Sequence, residues 1–175
     1  MVLTGFLISI LTGGYEFIYR WGYLGMFLFN FLETATISLF PLPTSFFVFS
    51  FGKILNPFLL GVISGFGGAI GSVFAYILGR GFKDVIERKY GKYLERTRRN
   101  FDKYKAIWWI VIANFIPLGG GVIAVFCGII RFDLKKFFIA VLLSKIAYNL
   151  ILSYSGYYSV TWLLDLFQFN LPSLI

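Results

Sequence analysis

Long uncharged runs, broken by proline or glycine and separated by basic clusters, set the pattern of this chain. Between Arg20 and Lys53 the one charge is Glu33. Residues 54–79 and 106–130 carry none, and from Phe137 to Leu164 the one charge is Lys145. A membrane helix needs ~20 apolar residues at ~1.5 Å of rise each, so every run is long enough. Residues 57–79, PFLLGVISGFGGAIGSVFAYILG, predict a crossing helix with Asn56 as N-cap and Pro57 at its first position. A second is predicted over 134–156, capped by Asp133.

The other two runs are interrupted. Pro117 and three glycines, Gly119, Gly120 and Gly121, fall inside 106–130. Pro41 and Pro43 fall inside 20–52, behind the polar Glu33, Thr34, Thr36 and Ser38. Proline removes a backbone donor and clashes with the preceding turn. Glycine is the weakest helix former after proline, and an unpaired peptide group is costly in hydrocarbon. The pattern therefore predicts two re-entrant hairpins, 20–52 and 106–130, with tips at Pro41 and Pro43 and at Pro117–Gly121. A kinked spanning helix is the alternative for 106–130. The charges favour a return, because Arg131, Lys135 and Lys136 then share a side with the basic block before the run.

Each half thus reads as a hairpin followed by a crossing helix, with the second half entering from the opposite side. The predicted fold is an all-α integral membrane protein, an inverted repeat of the kind found in secondary transporters. Segments 1–14 and 157–175 are read as interfacial or peripheral helices. The helix 57–79 carries Gly61, Gly65, Gly68, Gly71 and Gly79 on several faces, which suits close packing at the centre of a bundle. The same small residues would also suit a homo-oligomer.

Composition fixes the class. Of 175 residues, 58% are hydrophobic and 14% charged, against about 25% charged in soluble domains. The chain is read as one membrane domain, 1–175. The start, MVLTGFLISILTGG, lacks a basic segment and a small-residue cleavage site, so it is not read as a removable signal. Residues 80–105 hold ten Lys or Arg against four Asp or Glu. Their position between membrane segments places them in the cytoplasm, at the plasma membrane, as an amphipathic stretch on anionic lipid headgroups. Arg80 is read as an interfacial anchor. Nucleic acid would suit such a block too, but not between membrane flanks. With no histidine and a lone cysteine, Cys127, His-based triads, His/Cys metal clusters and an internal disulfide are excluded. No metal or cofactor is expected, and Cys127 is read as a small buried apolar residue.

The order FLET…PLP, then GSVFAYILGR (71–80), then NFIPLGGGVIAVFCG (114–128) and a following Phe137 resembles the DedA family, or VTT domain, over about residues 20–150. Glu33, Pro41 and Pro43 fall on the family's Glu and Pro-x-Pro. Tyr76, Gly79 and Arg80 fall on its Tyr and Gly-Arg, and Phe115, Pro117 and Gly128 on its Phe, Pro and Gly. The resemblance implies transbilayer movement of a polyprenyl phosphate or phospholipid, or scrambling in eukaryotic members. The chain departs from the pattern where bacterial members carry an acid, here Ser45, and two arginines, here Asn114 and Gly120. Those arginines would grip a phosphate by paired hydrogen bonds.

Glu33 and Lys145 are ionisable groups in apolar segments, which marks a functional site by default. Lys145 lies 12 residues beyond Asp133, about 18 Å along a helix, with Asn149 one turn later. We expect Lys145 to point into a cavity between the hairpin tips, where it either pairs with Glu33 or meets a lipid phosphate. A purely structural Glu33–Lys145 pair is the alternative. Ser45, Asn114 and Asn149 complete the expected proton or headgroup path. Two function classes stay open: a lipid scramblase or flippase with a polar groove, and a secondary transporter of a small ion or solute. An enzyme has little support, because few groups could do acid–base work.

Overall fold

The computed structural model describes residues 12–14, 16–37, 44–82, 103–116 and 119–170. Pro41, Pro43 and Pro117, the basic stretch 83–102 and both ends of the chain lie outside the described residues. Within them every regular element is a helix, and there is no strand: α1 (Tyr23–Ala35), α2 (Thr44–Phe51), α3 (Pro57–Gly81), α4 (Lys103–Phe115), α5 (Gly119–Ile129) and α6 (Leu134–Asn170).

The starts of the long helices follow from their caps. The Asn56 side chain accepts the N–H groups of Phe58 and Leu59 at 3.0 and 3.3 Å, with Pro57 in the first turn. Asp133 accepts the N–H of Lys136 at 3.0 Å. These partners satisfy amides that have no acceptor inside the helix. Gly22, just before α1, has φ 52°, a left-handed conformation open to glycine at no steric penalty. Ile37, just after α1, adopts φ 59°, which a β-branched side chain rarely does.

Two helices among the described residues are long and apolar enough to cross a membrane, Pro57–Gly81 and the Leu134–Ser159 part of α6. At ~1.5 Å per residue α3 measures about 37 Å, enough for a ~30 Å hydrocarbon layer. Around them Trp108, Trp109, Val122, Ile139 and Leu143 expose apolar side chains, as suits surfaces that meet lipid.

Helix α3 is the hub: α1, α5 and α6 pack on it, while α2 and α4 pack on α6. Glycine makes these contacts backbone-close. A Cβ on Gly79 would collide with the carbonyl oxygen of Val125, and one on Gly128 with that of Tyr76. On the other seam a Cβ on Gly156 would strike the carbonyl of Phe49, and one on Gly52 that of Ser153. The same interval along the chain separates Gly79 from Gly156, Tyr76 from Ser153 and Asn56 from Asp133. An interval one residue shorter separates Phe49 from Val125 and Gly52 from Gly128. Tyr76 donates its hydroxyl to the Phe132 carbonyl before α6, and Ser153 donates to the Pro57 carbonyl at 2.8 Å. Each long helix thus ties down the start of the other.

The α3–α6 crossing is antiparallel. Gly61 meets Leu150, Gly65 meets Ile146 and Gly68 meets Lys145, so positions fall on one helix as they rise on the other. Two apolar clusters flank it, one with Tyr76, Ile110, Cys127 and Phe137, the other with Ile18, Met26, Phe47 and Leu60.

Two boundaries differ from the sequence reading. Gly119–Gly121 form the first turn of α5 rather than an irregular tip. Tertiary packing overrides their weak propensity: a Cβ on Gly121 would stand 2.8 Å from the backbone of Ile37. Helix α6 does not stop near 156 but continues to Asn170. Gly156 is helical against Phe49, and no further glycine or proline interrupts the chain before Pro172.

Candidate functional site

Where α1, α2, α4 and α5 end or begin, they leave one polar cavity against α6. It is lined by Asn30, Glu33 and Thr34 from α1, Thr44 and Ser45 from α2, and Asn114 from α4. Ile116, Gly120 and Gly121 at the α4–α5 break and Lys145, Tyr148 and Asn149 from α6 close it. Its free volume is about 40 Å³, room for more than one water, since a water needs ~10–15 Å³ on this measure. Lys145 and its neighbour Gly68 are near the middles of the two long apolar helices, so the cavity sits midway along them.

The sequence arranges this wall locally. Polar side chains on a helix can bond back to its backbone carbonyls, so their donors are used without a distant partner. Thr34 donates to the Asn30 carbonyl at 3.0 Å, and the amides of Asn30, Asn114 and Asn149 bond within their own helices. Two contacts reach across. The Thr44 hydroxyl donates to the Glu33 carboxylate, joining α1 to α2. Ser45 and Tyr148 share a hydrogen bond at 3.1 Å, joining α2 to α6. Tyr148 also meets the Phe115 ring edge-on at 5.6 Å, so one side chain of α6 touches both α2 and α4.

Glu33, Ser45, Asn114, Lys145 and Asn149, singled out from sequence, all line this cavity. Glu33 and Lys145 face it together, but among the described residues the Glu33 carboxylate has Thr44 as its partner and no ion pair. Arg80 is exposed at the end of α3, away from the cavity. Asn30, Thr44 and Tyr148 were not foreseen. A signal existed for two of them, since Asn30 stands one turn before Glu33 and Tyr148 one turn after Lys145. Among the described residues no three His, Cys, Asp or Glu side chains gather as a metal group.

Of the motif residues, Glu33 lines the cavity, while the group around Tyr76 packs together away from it. Tyr76, Gly79 and Arg80 on α3 face Val125 and Gly128 on α5, and the Tyr76 ring lies 5.2 Å from that of Phe137. The VTT domain matches residues 42–158, more than half of the chain. The chain belongs to the VTT-domain family. With its two crossing-length apolar helices, this VTT-domain chain is a membrane protein. Neither the curated proteins nor the solved structures compared with it gave a match. The VTT match contains Ser45, Asn114, Lys145 and Asn149, while Glu33 lies before it.

Proposed function

We propose that this protein moves a phospholipid or polyprenyl-phosphate lipid between leaflets, the headgroup passing the polar cavity while the tails stay in the bilayer. The observation that carries this reading is a charged, hydrogen-bonding cavity midway along two long apolar helices, in a bundle whose outer faces are apolar. A polar wall at that level is expensive unless it serves something polar that crosses.

The architecture we propose for this role is an inverted repeat of two re-entrant hairpins, each followed by a crossing helix. Two observations support it. Helix α1, at 13 residues, rises about 20 Å, short of a ~30 Å hydrocarbon layer. The paired glycine contacts and caps recur at near-constant intervals on the two halves. In this arrangement the chain is multi-pass in the plasma membrane, with residues 80–105 on cytoplasmic anionic headgroups. It works as a carrier rather than an enzyme.

A second reading, a transporter of a small ion or solute, is favoured by the modest size of the cavity, about 40 Å³. One reconstitution separates the two. Protein in liposomes with a fluorescent phospholipid is exposed to a membrane-impermeant quencher, with and without a pH gradient. Loss of clearly more than the outer-leaflet half of the signal supports lipid movement. No extra loss under either condition transfers the case to the small-solute reading. If Glu33→Gln and Lys145→Ala both keep normal lipid movement, the cavity is not the headgroup path.

A further inference from the structure

Three asparagines line the cavity from three helices: Asn30 on α1, Asn114 on α4 and Asn149 on α6. All are more than nine-tenths buried. Each uses its amide nitrogen in the same way. Asn30 Nδ2 donates to the Met26 carbonyl at 3.1 Å, Asn114 Nδ2 to Ile110 at 2.8 Å, and Asn149 Nδ2 to Lys145 at 2.8 Å. A backbone carbonyl can only accept, so chemistry fixes which end of each amide points where. Every one of the three is left with its Oδ1 to offer, and that of Asn114 is enclosed without any hydrogen-bond partner.

The hydroxyls follow the same rule. Thr34 and Thr44 give their protons away, to Asn30 and to Glu33, and Ser45 and Tyr148 share one hydrogen bond. The cavity therefore presents oxygen acceptors from several helices and, among the described residues, one carboxylate. Carbonyl and carboxylate oxygens are the ligands of hard cations. A single carboxylate balances one positive charge.

That charge is already there, on a tether. The Lys145 side chain runs across Gly68, where a Cβ would stand 2.8 Å from Cδ and 3.3 Å from Nζ. Its Nζ also lies 3.5 Å from where a Cβ on Gly120 would be. Only glycine at 68 gives it this passage. We propose that the Lys145 ammonium, reaching into the cavity past Gly68, supplies the one positive charge that a sodium or potassium ion would otherwise bring to this acceptor wall. The site's charge balance is then independent of dissolved ions. This holds whether or not the protein moves lipid.

The test is to remove the tethered charge and supply a free one. Lys145→Met is purified in detergent, and its apparent melting temperature is read in sodium, potassium or choline chloride at equal ionic strength. We expect sodium or potassium to raise it over choline by at least about 3 °C, from mass action on a vacated site, with the wild type indifferent. Glu33→Gln combined with Lys145→Met should abolish the response. Equal melting of Lys145→Met in all three salts overturns the proposal. It would mean that the amino end of α5, which brings Gly120 and Gly121 to the cavity, suffices to balance Glu33. An equal rise in the wild type, or a rise that persists in the double variant, also overturns it. Should Lys145→Met not fold, Lys145→Gln, which keeps a donor for the acceptor wall, is read in the same salts. Failure of both to fold even in sodium or potassium counts against the proposal, because a free ion should then replace the lost charge.

Discussion

The two long helices meet at one crossing and bring opposite things to it. Helix α3 brings absence: Gly61 and Gly65 let another backbone approach, and Gly68 lets a side chain pass. Helix α6 brings side chains: Leu150, Ile146 and Lys145 fill that space, and Tyr148 and Asn149 beside them line the cavity. More of the apolar segment of α3 is buried than of α6. Helices in lipid gain little from burying apolar surface against each other, so close backbone packing must hold them. The glycines therefore do more than fasten the bundle. At one level they also make the passage for a lysine.

The largest effect should follow from filling the α3 side. In Gly65→Leu the new Cβ would stand 2.7 Å from the Ile146 Cα, a backbone atom that cannot step aside. Overpacking costs about 1–3 kcal/mol where side chains can adjust, and here the two helices must separate. We expect no monodisperse protein by size exclusion. The opposite change on α6, Ile146→Ala, removes filling from a half-buried position and should cost about 2 kcal/mol, the low end for such truncations. A folded Gly65→Leu with unchanged melting would show that the crossing is looser than the contacts imply.

Gly68→Ala should be milder and more specific. Its new methyl meets the Lys145 chain rather than backbone, and alanine favours the helix by about 1 kcal/mol. The protein should fold with nearly unchanged melting, while lipid movement in liposomes falls several-fold because the ammonium is pushed from its place. Normal movement in Gly68→Ala would separate the lysine's position from the proposed activity.

Much of this contrast was legible before any coordinates. Uncharged length marked the two crossing segments, Asn56-Pro57 and Asp133 marked their starts, and the small residues of 57–79 marked a packing helix. Glu33 and Lys145 stood out because each was alone in its run. What sequence could not supply was partnership over distance. Ser45 and Tyr148 are 103 positions apart, and nothing local to Thr44 says that it will cap the Glu33 carboxylate. The helical state of Gly119–Gly121 was hidden for the same reason. Propensity argues against it, and only the close approach of Ile37 to Gly121 accounts for it.

Next in size is Tyr148→Phe, which tests whether α6 holds α2 as well as lining the cavity. The ring and its edge contact with Phe115 remain, and only the hydrogen bond to Ser45 is lost. Such a bond is worth about 1 kcal/mol, a fall of about 2–4 °C in melting for a chain of this size. Ser45→Ala should lower melting by a similar amount, and the double variant by no more than either alone. Additive losses would mean that the two hydroxyls do not act through each other.

The smallest effect concerns how the two helices begin, one on a neutral cap and the other on a charged one. Asn56 cannot titrate. Asp133 is fully exposed, and the Lys136 and then the Lys135 amides, with their positive charges, hold its carboxyl below the usual carboxylate range. The sign follows from that direction. Stability from the charged cap is fully present above the ordinary Asp value of ~3.9 and fades as the pH falls through the lower folded value. Asp133→Asn keeps an oxygen for the Lys136 amide but nothing that titrates. Between pH 5 and pH 3 the wild type should therefore lose slightly more melting temperature than Asp133→Asn, and at pH 3 the two should nearly meet. The same substitution made in reverse at Asn56, to Asp, should lend α3 the acid sensitivity that α6 loses. If the wild type and Asp133→Asn lose melting in parallel, the charge on the cap contributes nothing, and the two helix starts are equivalent despite their chemistry.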